Sequence, residues 1–239
     1  MSTAKQFLLQ AAARNNAEWC AAMSRSHGLS SEFGRHAWSA AVRTPPRYPD
    51  AVTLVPGADA SALLARIDTE APGASVKDSF ADLDLTQAGF HVLFDAQWIY
   101  RPAGATGAAG AAADLAWDVV ADPRMLRAWA LAWDAGEGNA DLFRPGLLDD
   151  PATFVLVGRR GDGHVVRGAV ASRSDHVVGI SNVFALDGGA DAAWPGVLDV
   201  VHRLFPALPV AGYERGDELN AALRHGFEPI GPLRIWLKD

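Results

Sequence analysis

Apolar residues recur at helical spacing near the start of the chain, where Phe7, Leu8, Ala11, Ala12, Trp19, Ala22 and Met23 fall on one stripe. That periodicity predicts a helix over residues 5–27 with one buried face, stopped by Gly28. Pro45, Pro46 and Pro49 then forbid a helix interior or a central strand. Residues 51–55 predict a short strand. Asp59 fits the N-cap of a helix reaching about residue 68, with Leu63, Leu64 and Ile67 turned inward. Past a loop at Pro72-Gly73, the run FHVLFDAQWIY over residues 90–100 predicts a long strand, because aromatic and β-branched residues favour one.

The pattern then lapses. Residues 102–113 read PAGATGAAGAAA and offer nothing to bury. This stretch is expected to be an Ala/Gly-rich linker over 102–114, dividing an N-terminal lobe (1–101) from a second domain (115–239). Beyond it the alternation is regular. Residues 115–120 predict a strand, and Asp122-Pro123 opens a helix to Asp134 with proline in its first turn. Strands follow at 152–159, 165–173 and 177–185, the first two joined at Gly161-Asp162-Gly163, a hairpin signal. A helix at 192–205, a strand at 209–213, a helix at 216–225 and a strand at 230–237 complete the order. The sum is an α/β domain with a mixed sheet.

Composition narrows the functional classes. The chain has 239 residues, of which 49% are hydrophobic and 21% charged, the balance of a folded globular protein. Its net charge is −7 and no basic run exceeds Arg159-Arg160, which leaves no footprint for nucleic acid or an anionic membrane. Cys20 is the single cysteine, so no internal disulfide and no thiolate metal centre can form. The seven histidines fall singly, without metal-ligand spacing, and no metal is expected. No run approaches the length of a membrane span, and the start lacks a secretory leader; the expected location is cytoplasmic. The eight tryptophans are expected to pack in the core, among them Trp117, Trp129, Trp133 and Trp194.

The end of the chain carries a resemblance. Residues 208–214 (LPVAGYE), then DELNAALRHGF over 217–227, then a closing strand, resemble the fifth strand, fourth helix and sixth strand of the GNAT superfamily of N-acetyltransferases. Gly226-Phe227 matches the family's common "GF" helix ending, in which glycine caps the helix and the aromatic plugs the core. The resemblance implies a GNAT-like fold in the C-terminal half. It also implies a sheet splayed beside the strand at 177–185, and an acyl thioester, acetyl-CoA or another, entering the gap. The arm of that donor would pair with the backbone of Phe184, Ala185 and Leu186. Its pyrophosphate would lie on a turn at Gly188, Gly189, Ala192 and Ala193. Here the sequence departs from the family. Ala192 and Trp194 replace glycines, Asp191 adds a negative charge, Pro195 removes an N–H, and Ala222 stands where the family often has an acidic tyrosine.

Amide-forming acyl transfer needs a base and an acid. Glu214 is the candidate base and Tyr213 the substitute acid; solvation or ion pairing of Glu214, and packing of Tyr213, are the structural alternatives. Ser181 and Asn182 interrupt an apolar strand and either line an acceptor site or bond within the core. The acceptor expected is an amine on a small molecule or peptide, with a homodimer an open option. Two functions stand: an N-acyltransferase, or a catalytically inactive binding module that keeps the cleft. For the N-terminal lobe, Gly89-Phe90 followed by a strand echoes Gly226-Phe227 followed by its own, so a remnant GNAT-like half and a simple extra lobe both remain open.

Overall fold

The computed structural model describes residues 3–105 and 115–239; most of the expected linker, 106–114, lies outside the described residues. The chain divides into two compact units, one formed by Met1–Trp98 with Ile230–Asp239, the other by Ile99–Pro229.

In the first unit, α1 (Thr3–Ser26) buries Leu9, Ala13, Ala17, Trp19, Cys20 and Met23. It ends where the Leu29 N–H reaches back to the Ser24 carbonyl (2.9 Å) and Gly28 takes a φ of 75°, a left-handed stop that satisfies late carbonyls. Strands β1 (Glu32–Phe33), β2 (Ala37–Ser39) and β3 (Ala51–Thr53) pair antiparallel in turn. β3 then crosses through α2 (Ala60–Leu64), capped by Asp59, to the parallel β4 (Ala74–Asp78). The helix stops at Leu64 rather than near residue 68.

The three-proline segment is pinned by Asp50, which is buried. Its carboxylate accepts from the Thr44 N–H (2.9 Å) and the Ser75 N–H (3.0 Å), and pairs with Arg43. β5 (His91–Arg101) begins in this unit, and β11 (Glu228–Lys238) runs antiparallel to β4 with Arg234 opposite Asp78 and Lys238 opposite Ala74. The closing strand is thus counted largely with the N-terminal residues.

The second unit orders its strands β10-β9-β8-β7-β6. β6 (Ala116–Val119), β7 (Thr153–Arg159), β8 (Val165–Arg173) and β9 (Val178–Ala185) are successively antiparallel. β10 (Val210–Glu214) lies parallel to β9, reached through α4 (Trp194–Leu204) and followed by α5 (Gly216–Arg224). α3 (Pro123–Asp134) starts on the Asp122 cap, whose carboxylate accepts from the Met125 N–H at 2.9 Å.

The core of this unit gathers Ile99, Leu156, Val178, Trp194, Val197, Val201 and Phe227. Phe227 plugs it against Trp194, with ring centroids 4.8 Å apart. Two glycines make room for tryptophans. A Cβ on Gly168 would stand 2.2 Å from the Trp129 Nε1, which donates to the Leu156 carbonyl, and one on Gly196 would stand 2.1 Å from the Trp117 ring. The family-like ending recurs twice in the same form. Gly89 and Gly226 both take a φ of 82°, and Phe90 and Phe227 are both buried.

Candidate active site

The opening in the second unit begins with a pairing that stops. β9 and β10 are in register at Val178–Val210 and Gly179–Ala211 only. Gly212 still lies against β9, where a Cβ would meet the Ile180 carbonyl at 3.0 Å. Beyond that point both strands lose burial together, from Ser181 on β9 and from Gly212 on β10.

The cause is local. On the other side of β9, Ser181 pairs with Val170 and Phe184 with Gly168, so Asn182 and Val183 together face the single residue Ala169. This is a β-bulge, which bends a strand and ends its pairing. Asn182 takes the left-handed conformation it requires, with φ 53°, a region asparagine tolerates better than most residues. Ser181 and Asn182 therefore sit half-buried at the point of divergence.

The bulge also decides which backbone groups face the gap. The Leu186 N–H donates to the Val166 carbonyl at 2.8 Å, toward β8. Bonded and non-bonded pairs alternate along an antiparallel ladder. Phe184 opposite Gly168 then belongs to a bonded pair, and Ala185 opposite Arg167 to a non-bonded one. The N–H and C=O of Ala185 turn away from β8, toward the opening. Of the three residues expected to pair with a thioester arm, Ala185 has its polar edge turned from β8, while the amide of Leu186 is committed to β8.

Glu214 ends β10 at the mouth of the opening and is half-buried. Desolvation of its carboxyl, with the negative charge of Glu218 beside it, pushes its pKa up to about 7. Tyr213 precedes Glu214, and neighbours on a strand face opposite sides. The two side chains therefore leave β10 on opposite faces of the sheet. Ala222, in the position where the resemblance implies an acidic tyrosine, is fully buried.

The turn between β9 and α4 is built differently from the expectation. Gly188 and Gly189 take φ of 87° and 67° and lead into a short 3-10 turn, Ala190–Ala192. The Ala192 N–H donates to the Gly189 carbonyl (3.1 Å) and the Ala193 N–H to the Ala190 carbonyl (3.0 Å). Neither amide is offered outward, and Ala193 and Trp194 are buried.

Two carboxylates flank the glycines. Asp187 holds Arg167 (3.0 Å) and Arg160 (3.2 Å), and the bond from Arg167 draws its pKa below the usual carboxylate range. Asp191 holds Arg224 (3.2 Å) and the His225 Nε2 (3.0 Å). Sequence reasoning anticipated the charge of Asp191 but not these four partners, which lie 20 to 34 residues from their carboxylates. Among the described residues no three of His, Cys, Asp and Glu gather as a metal site, and no helix is long and apolar enough to cross a membrane.

Solved structures share this architecture. A GCN5-related N-acetyltransferase from Kribbella flavida is 18% identical with a TM-score of 0.62, covering 95% of both chains. A GCN5-related N-acetyltransferase from Sphaerobacter thermophilus is 13% identical with a TM-score of 0.52, covering 96% of this chain and 93% of that one. A functionally unknown conserved protein from Staphylococcus epidermidis is 15% identical, with a TM-score of 0.58 over 74% of this chain and 75% of its own. No family model and no curated protein matches the sequence. At these identities the likeness establishes the fold alone, a mixed α/β fold of the GNAT type, and it extends past the half of the chain that carried the resemblance.

Proposed function

We propose that this chain is an N-acyltransferase that moves an acyl group from a thioester to an amine on a small molecule or peptide. The observation that carries the reading is the parting of β9 and β10 beside a half-buried carboxylate whose pKa is pushed to about 7. A group poised near neutrality is suited to take a proton at physiological pH.

In the proposed step the donor arm lies along Ala185, and Ser181 and Asn182 line the acceptor side. Glu214 accepts a proton from the substrate ammonium, and the freed amine nitrogen attacks the thioester carbonyl carbon. The tetrahedral intermediate collapses with loss of the C–S bond, and the nitrogen gives up its second proton to solvent. The thiolate leaves and takes a proton from the Tyr213 hydroxyl, which solvent restores. The products are an amide, a free thiol and the proton held on Glu214.

The second reading, a binding module without catalysis, is favoured by Ala222, which leaves no acid at the position the resemblance implies. One experiment separates the two. The full chain is incubated with acyl thioesters and a panel of primary amines while thiol release is followed. Turnover that falls about 100-fold in Glu214→Gln supports the transferase. Thioester binding without thiol release for any amine supports the module.

A further inference from the structure

We infer that the donor of this chain is a pantetheine thioester recognised by its arm alone, with no nucleotide diphosphate seated on the turn between β9 and α4. The inference rests on the acyl-transfer reading and names the chemistry of its donor.

Three features of the turn lead there. The first is the supply of donors. An anion nest needs several outward backbone N–H groups in succession. Here those of Ala192 and Ala193 close the 3-10 turn on Gly189 and Ala190, and Pro195 has none. The second is charge. Asp187 and Asp191 place a carboxylate on each side of Gly188-Gly189, so the arginines there are already neutralised within the chain.

The third is that the basic side chains reaching the two carboxylates are already engaged. Arg167 is tied twice, to Asp187 and to the Ala192 carbonyl (2.6 Å). Arg160 is on Asp187, and both Arg224 and His225 are on Asp191. These side chains are therefore already paired within the chain rather than turned to an incoming anion. A nucleotide diphosphate does not fit this turn.

The arm-binding side is intact by contrast. The opening and the bulge at Asn182 are set by backbone pairing, with Ala185 opposite Arg167. A thioester arm can therefore be held while the far end of the donor goes unread. A free pantetheine thioester and an arm carried on a protein share this chemistry.

The test uses calorimetric titration of the full chain with S-acetyl-pantetheine, acetyl-CoA and ADP. The expected result is that the two thioesters bind within about threefold of each other and that ADP does not compete. Asp191→Ala, which releases Arg224 and His225, is expected to strengthen acetyl-CoA about tenfold and leave S-acetyl-pantetheine unchanged. Wild-type protein that binds acetyl-CoA more than about tenfold tighter than S-acetyl-pantetheine overturns the inference and leaves acyl transfer standing. If neither thioester binds, both fall together. Comparing an acetylated arm on a carrier protein with the free thioester, by kcat/KM, then assigns the source.

Discussion

Glu218, in the first turn of α5, bears on the carboxyl of Glu214 at the end of β10 with a charge of the same sign. An acidic side chain there is also what a helix N-terminus favours. A residue placed for one local reason thus helps hold its neighbour near neutrality.

Removing that charge moves the pH profile. Glu214 acts as a base only when ionised, so kcat/KM is expected to rise with pH through about 7. Glu218→Gln lowers the Glu214 pKa and shifts the rising limb to lower pH. A pH–rate profile with the limb in the same place in both proteins removes Glu218 from this role.

The same carboxyl links stability to pH. Glu214 binds its proton more tightly in the folded chain, at about 7, than at its ordinary value of 4.5. Between those values the native state holds more protons than the unfolded state, so this contribution to stability falls as pH rises. Glu214→Gln is expected to flatten that decline. Urea denaturation at about pH 5 and about pH 8 checks it, the wild type losing more between the two than the variant.

The bulge depends on a left-handed residue. At φ 53° a β-branched side chain is costly, and Asn182→Val is expected to destabilise by about 1–2 kcal/mol. Asn182→Gly keeps the conformation and is expected to fold normally with the opening preserved. Equal melting temperatures for the two variants would show that the bulge does not need this backbone.

Gly168 has no room for a methyl group. With the Trp129 Nε1 at 2.2 Å and the Leu156 carbonyl at 2.9 Å from the added carbon, Gly168→Ala must displace a fully buried ring or its hydrogen bond. A loss of about 3 kcal/mol is expected, seen as a lower urea midpoint. Gly161→Ala, in the hairpin turn with open space around it, serves as the control and is expected to change little.

Much of the fold could be read because its signals were local. The periodicity of α1, the Asp122-Pro123 start of α3 and the Gly-Phe endings each occupy a few adjacent residues. β4 escaped because it reads ASVKD and is buried without alternating. Its buried Lys77 bonds to Asn16, 61 residues away.

The site divides in the same way. Glu214 stood out as a carboxylate closing an apolar strand, but its perturbation comes from burial that no short window displays. The turn at Gly188-Gly189 departs from the family pattern already in its residues, but its bonding is not legible there. The turn closes through its own backbone bonds, and Asp191 within it pairs with Arg224 and His225 from the end of α5.

The membership of residues 230–239 in the first unit bears on how the protein is made. Until that segment leaves the ribosome, β4 has β3 on one side and bare backbone on the other. An open strand edge is a template for pairing with other chains. Synthesis therefore leaves the earliest residues waiting on later ones, and a fragment cut after residue 101 carries the same vulnerability permanently.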